Sequence, residues 1–456
     1  MQPHPRVFKT LQREVADWRV WAGRGVVLGF AALAGLTVVA FTWLTEHALR
    51  LFSLLDAHAW WAPLLWTPAC TAAIVWLTRR FAPGAAGSGI PQVMAALTPE
   101  VPHAARALFV SLRLALAKAL LTAWGLLAGL SLGREGPSVQ IAAGVMHNAR
   151  RWLPKGSRVS EHGLLLAGGA AGIAAAFNTP LGGVMFAIEE LSRRPEQRSS
   201  GLLLAAIVLS GLMAVSVYGN ATYFGVIHID NLSMDLLFPG LLVTVGCGLA
   251  GGLFARLVVV SLSGGSADVF TRFRQRAPVW FAAGCGLGVA VLGIVSHSDT
   301  YGSGYDHSRA MLEGHGDTSS LYVLLKFIAT WLTTWAGVPA GIFAPSLAIG
   351  GALGNDIALL TSYVNAPTLI ALGMAAFLAA VTQAPLTSFI IVMEMVDGHA
   401  LVLSLMASAM VASGVSRMVS AALYPALAAL QLRRIPPDAI PPPAASGGAD
   451  AAAHPT

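Results

Sequence analysis

The stretch Gly133-Arg134-Glu135-Gly136-Pro137 breaks an apolar region with two glycines, a proline and an acid. Three related breaks occur in the same chain, at Gly87-Ser88-Gly89-Ile90-Pro91, Gly302-Ser303-Gly304 and Gly341-Ile342-Phe343-Ala344-Pro345. At membrane depth, a break of this kind frees backbone N–H groups that must find a partner. A helix that begins there turns its positive end inward and suits an anion. Glu135 carries the wrong charge for lipid, so its place at such a start suggests a gate on an anion path.

The membrane setting follows from composition. Of 456 residues, 55% are hydrophobic and 11% charged, against about a quarter charged in an ordinary soluble domain. The apolar run from Val20 to about Thr45 is too long for a cleavable leader and reads as a retained first span. Net charge is +6, but the basic residues gather at segment ends. That distribution sets orientation and excludes a nucleic-acid partner. The clusters Arg6–Arg24, Arg79–Arg80, Arg193–Arg198 and Arg433–Arg434 fit a cytoplasmic face with both termini inside. Alternating basic and apolar residues over 1–19 predict an amphipathic helix on the inner surface. From 434 to 456 the chain is rich in Pro, Ala and Gly and is expected to be a disordered tail, with no further folded domain.

Apolar segments between these ends fall at roughly 21–48, 59–82, 105–132, 160–176, 180–192, 201–218, 235–262, 278–296, 320–337, 342–362, 367–382, 385–396 and 399–420. Several are shorter than the ~20 helical residues a bilayer core requires. They also repeat. AAGIAAAFNTPLGGVMFAIEE (170–190) aligns with MAAFLAAVTQAPLTSFIIVME (374–394), matching Pro180 to Pro385 and Glu189 to Glu394. Pro137 and Pro345 precede these blocks at similar distances, and each half carries a GSG. The pattern reads as a duplication, repeat one at about 20–218 and repeat two at about 235–433, of opposite topology if each half crosses an odd number of times. The fold class expected is an all-α membrane protein of tilted and broken helices in two inverted repeats.

With GSGIP, GREGP, GIFAP and Leu423-Tyr424-Pro425 in this order, the sequence resembles the CLC family of chloride channels and chloride/proton antiporters over about residues 20–433. The resemblance implies chloride transport by a homodimer with a pore in each subunit. It makes Glu135 the gating glutamate, a carboxylate that mimics the transported anion when deprotonated and swings away when protonated. It makes Ser88 and Tyr424 hydroxyl donors to chloride, and has Ile342 and Phe343 give backbone N–H groups. A serine at position 88 accompanies chloride preference in the family, and a proline nitrate preference. Hydroxyls suit this task because they donate without adding full charge, which keeps binding moderate. Gly133, Arg134, Gly136 and Pro137 support the gate.

Glu190 corresponds to the inner proton-transfer glutamate of the antiporters, and family channels commonly lack an acid there. Its neighbour Glu189, matched by Glu394, reads as a duplicated structural acid. The structural alternative for Glu190 is pairing with Arg193 or Arg194, and for Glu135 pairing with Arg134. The side chains of Ile342 and Phe343 fit a lipid-facing role equally well, so substituting them should say little about anion binding. Tyr424 alone would suit an interfacial belt. Lys118 either adds positive potential to the path or pairs locally. Asn178 is expected to cap a helix. Gln92 and Met94 stand where bacterial antiporters often have acids, which puts the local salt-bridge pattern in doubt.

Two functions follow on one scaffold. The pair Glu135 and Glu190 favours proton-coupled chloride antiport; Glu135 alone would suffice for a passive, gated chloride channel. A membrane hydrolase using Ser88 or Ser138 with His103 or His147 lacks any supporting Ser/His/Asp grouping. The partners expected are chloride, protons and the lipid bilayer. Cys70, Cys247 and Cys285 show neither disulfide nor metal spacing, and no metal or organic cofactor is indicated. The Ala-rich, Arg-over-Lys composition suggests a bacterial inner membrane.

Overall fold

A computed structural model describes residues 18–435, apart from position 158, segments 193–200, 220–222, 225–233, 266–267 and 315–318, and position 434. The amphipathic segment expected over 1–19 and the tail expected over 434–456 therefore lie almost wholly outside the described residues. Within them the fold is helical, and the sole β-type contact is one isolated bridge between Gly133 and Gly341.

The chain opens on α1 (Trp18–His58) and α2 (Pro63–Phe81). A GSG loop then leads into the short α3 (Ile90–Leu97), followed by α4 (Leu112–Leu127) and α5 (Glu135–Asn148). Next come α6 (Glu161–Phe177), α7 (Pro180–Phe186, continued as a wide turn to Ser192) and α8 (Gly201–Tyr218). The second half repeats the series. Here α9 (Leu237–Ser263), a connecting α10 (Val269–Arg276) and α11 (Pro278–Val295) precede a second GSG loop and α12 (Tyr305–Leu312). They are followed by α13 (Tyr322–Ala336), α14 (Phe343–Thr361), α15 (Ala366–Thr382), α16 (Pro385–Met395) and α17 (Val402–Val419), with α18 (Leu423–Leu432) closing the series. The segment expected as one stretch over 105–132 is instead a single turn at His103–Arg106, the helix α4 and an extended run into Gly133. Gly129, at φ 74°, helps end α4 before the bilayer is crossed.

Six of the described helices are long and apolar enough to cross a membrane. Others are not: the 14 residues of α5 span roughly 21 Å at 1.5 Å per residue, less than the ~30 Å of a hydrocarbon core. Such half-helices survive because protein, not lipid, surrounds them. Every residue of α5 from Glu135 to Met146 is buried, as is every residue of α6 from Gly163 to Phe177. Glycines permit the contact. A Cβ on Gly172 would lie 2.5 Å from the Ser138 carbonyl oxygen, so α5 and α6 touch backbone to backbone. In the second half, a Cβ on Gly354 of α14 would lie 2.7 Å from the Leu369 carbonyl carbon of α15.

The duplication is written into the hydrogen bonds. Glu189, in the wide turn after α7, accepts from Leu386 N (3.1 Å) and Thr387 N (2.6 Å) at the start of α16. Glu394 at the end of α16 accepts from Leu181 N (3.2 Å) and Gly182 N (2.7 Å) at the start of α7. Each repeat thus supplies the carboxylate cap for a helix of the other, which is the structural role expected for the aligned acids. Asn178 and Gln383 close α6 and α15 as left-handed C-caps, with φ 58° at both.

Candidate functional site

Three of the four sequence breaks meet at one place. Gly133 and Gly341 exchange backbone hydrogen bonds, Gly133 N to Gly341 O at 2.8 Å and Gly341 N to Gly133 O at 3.0 Å. The GSGIP loop joins them through Gly87 N to Val338 O and Ala340 N to Gly87 O, both 3.1 Å. Packing locks the junction. A Cβ on Gly133 would meet the Pro345 ring at 3.1 Å, and one on Gly341 would meet the Pro137 ring at 3.0 Å. Gly89 has φ 109°, and a Cβ there would lie 2.6 Å from the Gly136 carbonyl oxygen. A side chain at either loop would separate the two helix starts.

The N-termini of α3, α5 and α14 consequently converge, and the first N–H groups of each lack an acceptor within their own helix. Glu135 begins α5 and is fully buried. Its Oε2 accepts from Ala344 N at 3.4 Å, near the start of α14, while Oε1 has no hydrogen-bond partner. Arg134 does not neutralise it by direct pairing: its guanidinium turns to Glu46 of α1 (2.8 Å) and to the Tyr223 hydroxyl (3.3 Å). The structural alternative of a Glu135–Arg134 pair is thereby set aside, because Glu46 takes the ion pair.

Ser88 and Tyr424 come together on the other side of the junction. Both are buried, and their hydroxyls lie beside each other with no hydrogen bond to any other group. A buried hydroxyl pair with no further partner is costly for a purely structural design. Gly136 packs directly on Ser88, since a Cβ there would press on the Ser88 carbonyl oxygen at 2.9 Å. Tyr424 lies within hydrogen-bonding reach of Ser88 and close enough to Glu135 and Glu190 to feel both carboxylates. At full burial it is no membrane-interface residue.

Ile342 and Phe343 are 2% and 1% exposed, which corrects the lipid-facing reading of their side chains. Phe343 stacks on Tyr424 (centroids 6.0 Å, interplanar angle 25°) and contacts Phe177 and Phe186. The interrupted helices enclose it. Glu190 is 1% exposed within the wide turn after α7. Arg193 and Arg194, its expected alternative partners, lie outside the described residues.

Lys118 is fully buried and donates to Ala85 O (2.8 Å) and Gly87 O (2.5 Å), the carbonyls just before Ser88. The local pairing expected of it is present, and it ties Lys118 to the GSGIP loop. Sequence reasoning missed its counterpart. Lys326 on α13 is equally buried and donates to Thr300 O (2.9 Å), Tyr301 O (3.5 Å) and Gly302 O (2.9 Å) before the second GSG. The signal was available, since a lone lysine in an apolar segment next to a GSG occurs in both halves. Gln92 stands in for the missing acid by accepting from Gly89 N (3.0 Å) and donating to Ala86 O (2.5 Å). No group of His, Cys, Asp and Glu suited to a metal occurs among the described residues.

Interrupted helices in two inverted halves, meeting tip to tip around buried hydroxyls and a buried acid, define an ion-transport protein of the membrane. Residues 70–417 match the model of the voltage gated chloride channel family, and the chain belongs to that family. Among its relatives is an H(+)/Cl(-) exchange transporter of Citrobacter koseri, 32% identical over 423 residues and covering 87% of this chain and 85% of the relative. The H(+)/Cl(-) exchange transporter of Cronobacter sakazakii is 32% identical over 395 residues, covering 81% of each. In structure, the chain is similar to a slow cyanobacterial Cl-/H+ antiporter with TM-score 0.77 at 26% identity, covering 90% of this chain and 98% of that one. A CLC-type fluoride/proton antiporter has the same fold, with TM-score 0.75 at 22% identity over 90% and 99% of the two chains.

Proposed function

We propose that the protein exchanges chloride for protons across a bacterial inner membrane, with Glu135 as gate and Glu190 as inner proton acceptor. The observation that carries this reading is a set of buried polar groups, the adjacent Ser88 Oγ and Tyr424 Oη and the free Glu135 Oε1, with no hydrogen bond to the surrounding protein at converging helix starts. Hydroxyls and N–H groups can only donate to an anion there, and they do so without a fixed charge that would hold it. Glu135 competes for the same donors. Deprotonated, its carboxylate takes them, as the Ala344 bond illustrates; protonated, it yields to chloride and moves aside. One side chain then links anion passage to proton entry.

Glu190 supports exchange over passive flow. It is a second buried acid, on the Tyr424 side of the junction and distinct from the capping residue Glu189. Protons and chloride share the route at Glu135 and part towards the inside. The termini, Arg79 and Arg80 are assigned to the cytoplasm by the distribution of basic residues. A homodimer is assigned from apolar surface on α7, α8 and α17, where Leu181, Leu212, Leu403 and Met410 remain exposed.

The test is paired chloride and pH recording on proteoliposomes carrying wild type or Glu135→Gln. Wild type should move protons against a chloride gradient, and the variant should pass chloride without protons or pH dependence. Normal coupling in Glu135→Gln would overturn the gate assignment; chloride passage without proton movement in wild type would favour the passive channel.

A further inference from the structure

Arg134, the residue before Glu135, is tied to a helix from the start of the chain. Glu46 lies roughly 33 Å beyond Arg24 along the unbroken α1, at 1.5 Å per residue, so the two stand on opposite sides of a hydrocarbon core. With the basic end of α1 inside, Glu46 belongs to the outer side. There its Oε1 accepts from Arg134 Nη1 at 2.8 Å. The Glu46 side chain is 39% exposed and that of Arg134 only 14%, so the carboxylate meets the guanidinium from the solvent side.

The second nitrogen, Nη2, donates to the Tyr223 hydroxyl at 3.3 Å. Tyr223 is itself held. Its carbonyl accepts from Tyr305 Oη at 2.7 Å, and its ring packs edge-on against Phe177 (5.8 Å) and Tyr305 (4.7 Å). The guanidinium fork is therefore spread between α1 and Tyr223. Glu135 keeps Oε1 without a hydrogen bond, yet it and Arg134 are close enough to feel each other's charge. The other titratable groups around them are tyrosines: Tyr218 at the end of α8, Tyr223, Tyr305 on α12 and Tyr424 on α18. Tyrosine ionises near pH ~10, above the working range. His47, beside Glu46 in the chain, turns its Nδ1 back along α1 to Trp43 O at 2.8 Å. Glu46 and Glu135 are thus the carboxylates that act on Arg134.

We propose that Glu46, helped by the Tyr223 hydroxyl, is a positioning residue for the gate: it takes up the Arg134 guanidinium and so leaves Glu135 free to accept a proton from the outer side. This deepens the reading of Glu135 as the gate and rests on it. A guanidinium cannot shed its proton, and a largely buried charge needs a partner. With Glu46 in place, that partner sits on the solvent side. Without Glu46, the carboxylate left to compensate the charge is Glu135. A cation beside a carboxylate favours its charged form. The gate would then hold its deprotonated, path-blocking position and release it only at lower pH. Direct contact is not required, because the attraction acts through surroundings of low dielectric.

The experiment measures chloride and proton flux in proteoliposomes, with pH varied equally on both sides, for wild type, Glu46→Gln, Glu135→Gln and the double variant. Glu46→Gln should move the pH profile of exchange by about half to one unit towards acid, which lowers the rate about three- to tenfold on the alkaline side of the midpoint. The partial exposure of Glu46 keeps the shift below that of a buried pair. The chloride-to-proton ratio should stay that of wild type. Tyr223→Phe, which keeps the ring, should act in the same direction and more weakly. Added to Glu135→Gln, the Glu46→Gln change should have no effect, because the group that Arg134 would act on is gone. An equal loss of chloride flux in that background would place the effect outside the gate and overturn the proposal. A wild-type profile in Glu46→Gln, with pH dependence lost in Glu135→Gln, refutes the positioning role and leaves the gate standing. If Glu135→Gln keeps the wild-type pH dependence, the gate reading falls, and the role of Glu46 with it. Should Glu46→Gln fail to fold, Tyr223→Phe decides, and an unshifted profile there refutes the proposal.

Discussion

Replacing Glu394 with alanine tests the exchange of caps between the two repeats. The change removes two N–H···O⁻ bonds, at 3.2 and 2.7 Å, from the start of α7. A hydrogen bond to a charged group contributes about 1.5–3 kcal/mol net. The longer bond belongs at the low end, which gives about 3–4 kcal/mol for the pair. Glu189→Ala removes bonds of 3.1 and 2.6 Å from the start of α16 and should cost the same. Glu394→Gln, keeping a neutral acceptor, should cost about half as much. For domains of 150–250 residues, 1 kcal/mol shifts Tm by about 2–4 °C; for a chain of this length we take roughly 1–2 °C, so each alanine should lower Tm by about 3–8 °C. The assay is thermal unfolding of purified protein in detergent, scanned at one fixed rate, with chloride and proton flux measured on the folded fraction. Coupling should persist in both variants, since neither acid faces the anion path. A Tm within 1 °C of wild type for either variant, or a large asymmetry between them, would refute the symmetric capping argument.

The remaining predictions concern groups at or near the junction. Glu190→Gln should abolish proton flow, keep chloride flow and leave Tm unchanged, in contrast to Glu189→Ala next to it; proton flux in liposomes decides. Lys118→Met and Lys326→Met should each destabilise by about 2–4 kcal/mol, because buried carbonyls lose their donor, and an unchanged melting temperature would contradict the shared role. Phe343→Ala should cost about 3–5 kcal/mol through the cavity it leaves and should also weaken chloride binding, measured by titration calorimetry, because Tyr424 loses the ring it stacks on.

Much of the site was legible as motif. A glycine that admits a close backbone approach, and a proline in the first turn of a helix, leave a signature within five residues. GSGIP, GREGP and GIFAP therefore marked the helix starts before any contact was known. The duplication was equally readable, and it picked out Glu189, the acid that recurs at Glu394, as the structural one. The limits of α4 were not readable, because Leu130 and Leu132 are as apolar in an extended run as in a helix. The partner of Arg134 was not readable either: its neighbour Glu135 was the alternative in view, whereas Glu46 lies far back in α1 and becomes adjacent only when α1 packs beside α5.

What the sequence determined by itself is local: where helices break, which residues can begin them, which residues recur in both halves, and that a membrane surrounds them. What only the tertiary structure decided is convergence. Helix tips far apart in the chain face one another because the two halves interlock, turning carboxylates into caps for the opposite repeat and lysines towards loop carbonyls. The same interlocking buries Phe343, which composition could have assigned to lipid. Short-range chemistry is fixed by neighbours in sequence; the partner of a buried charge is fixed by whichever element the fold carries alongside it.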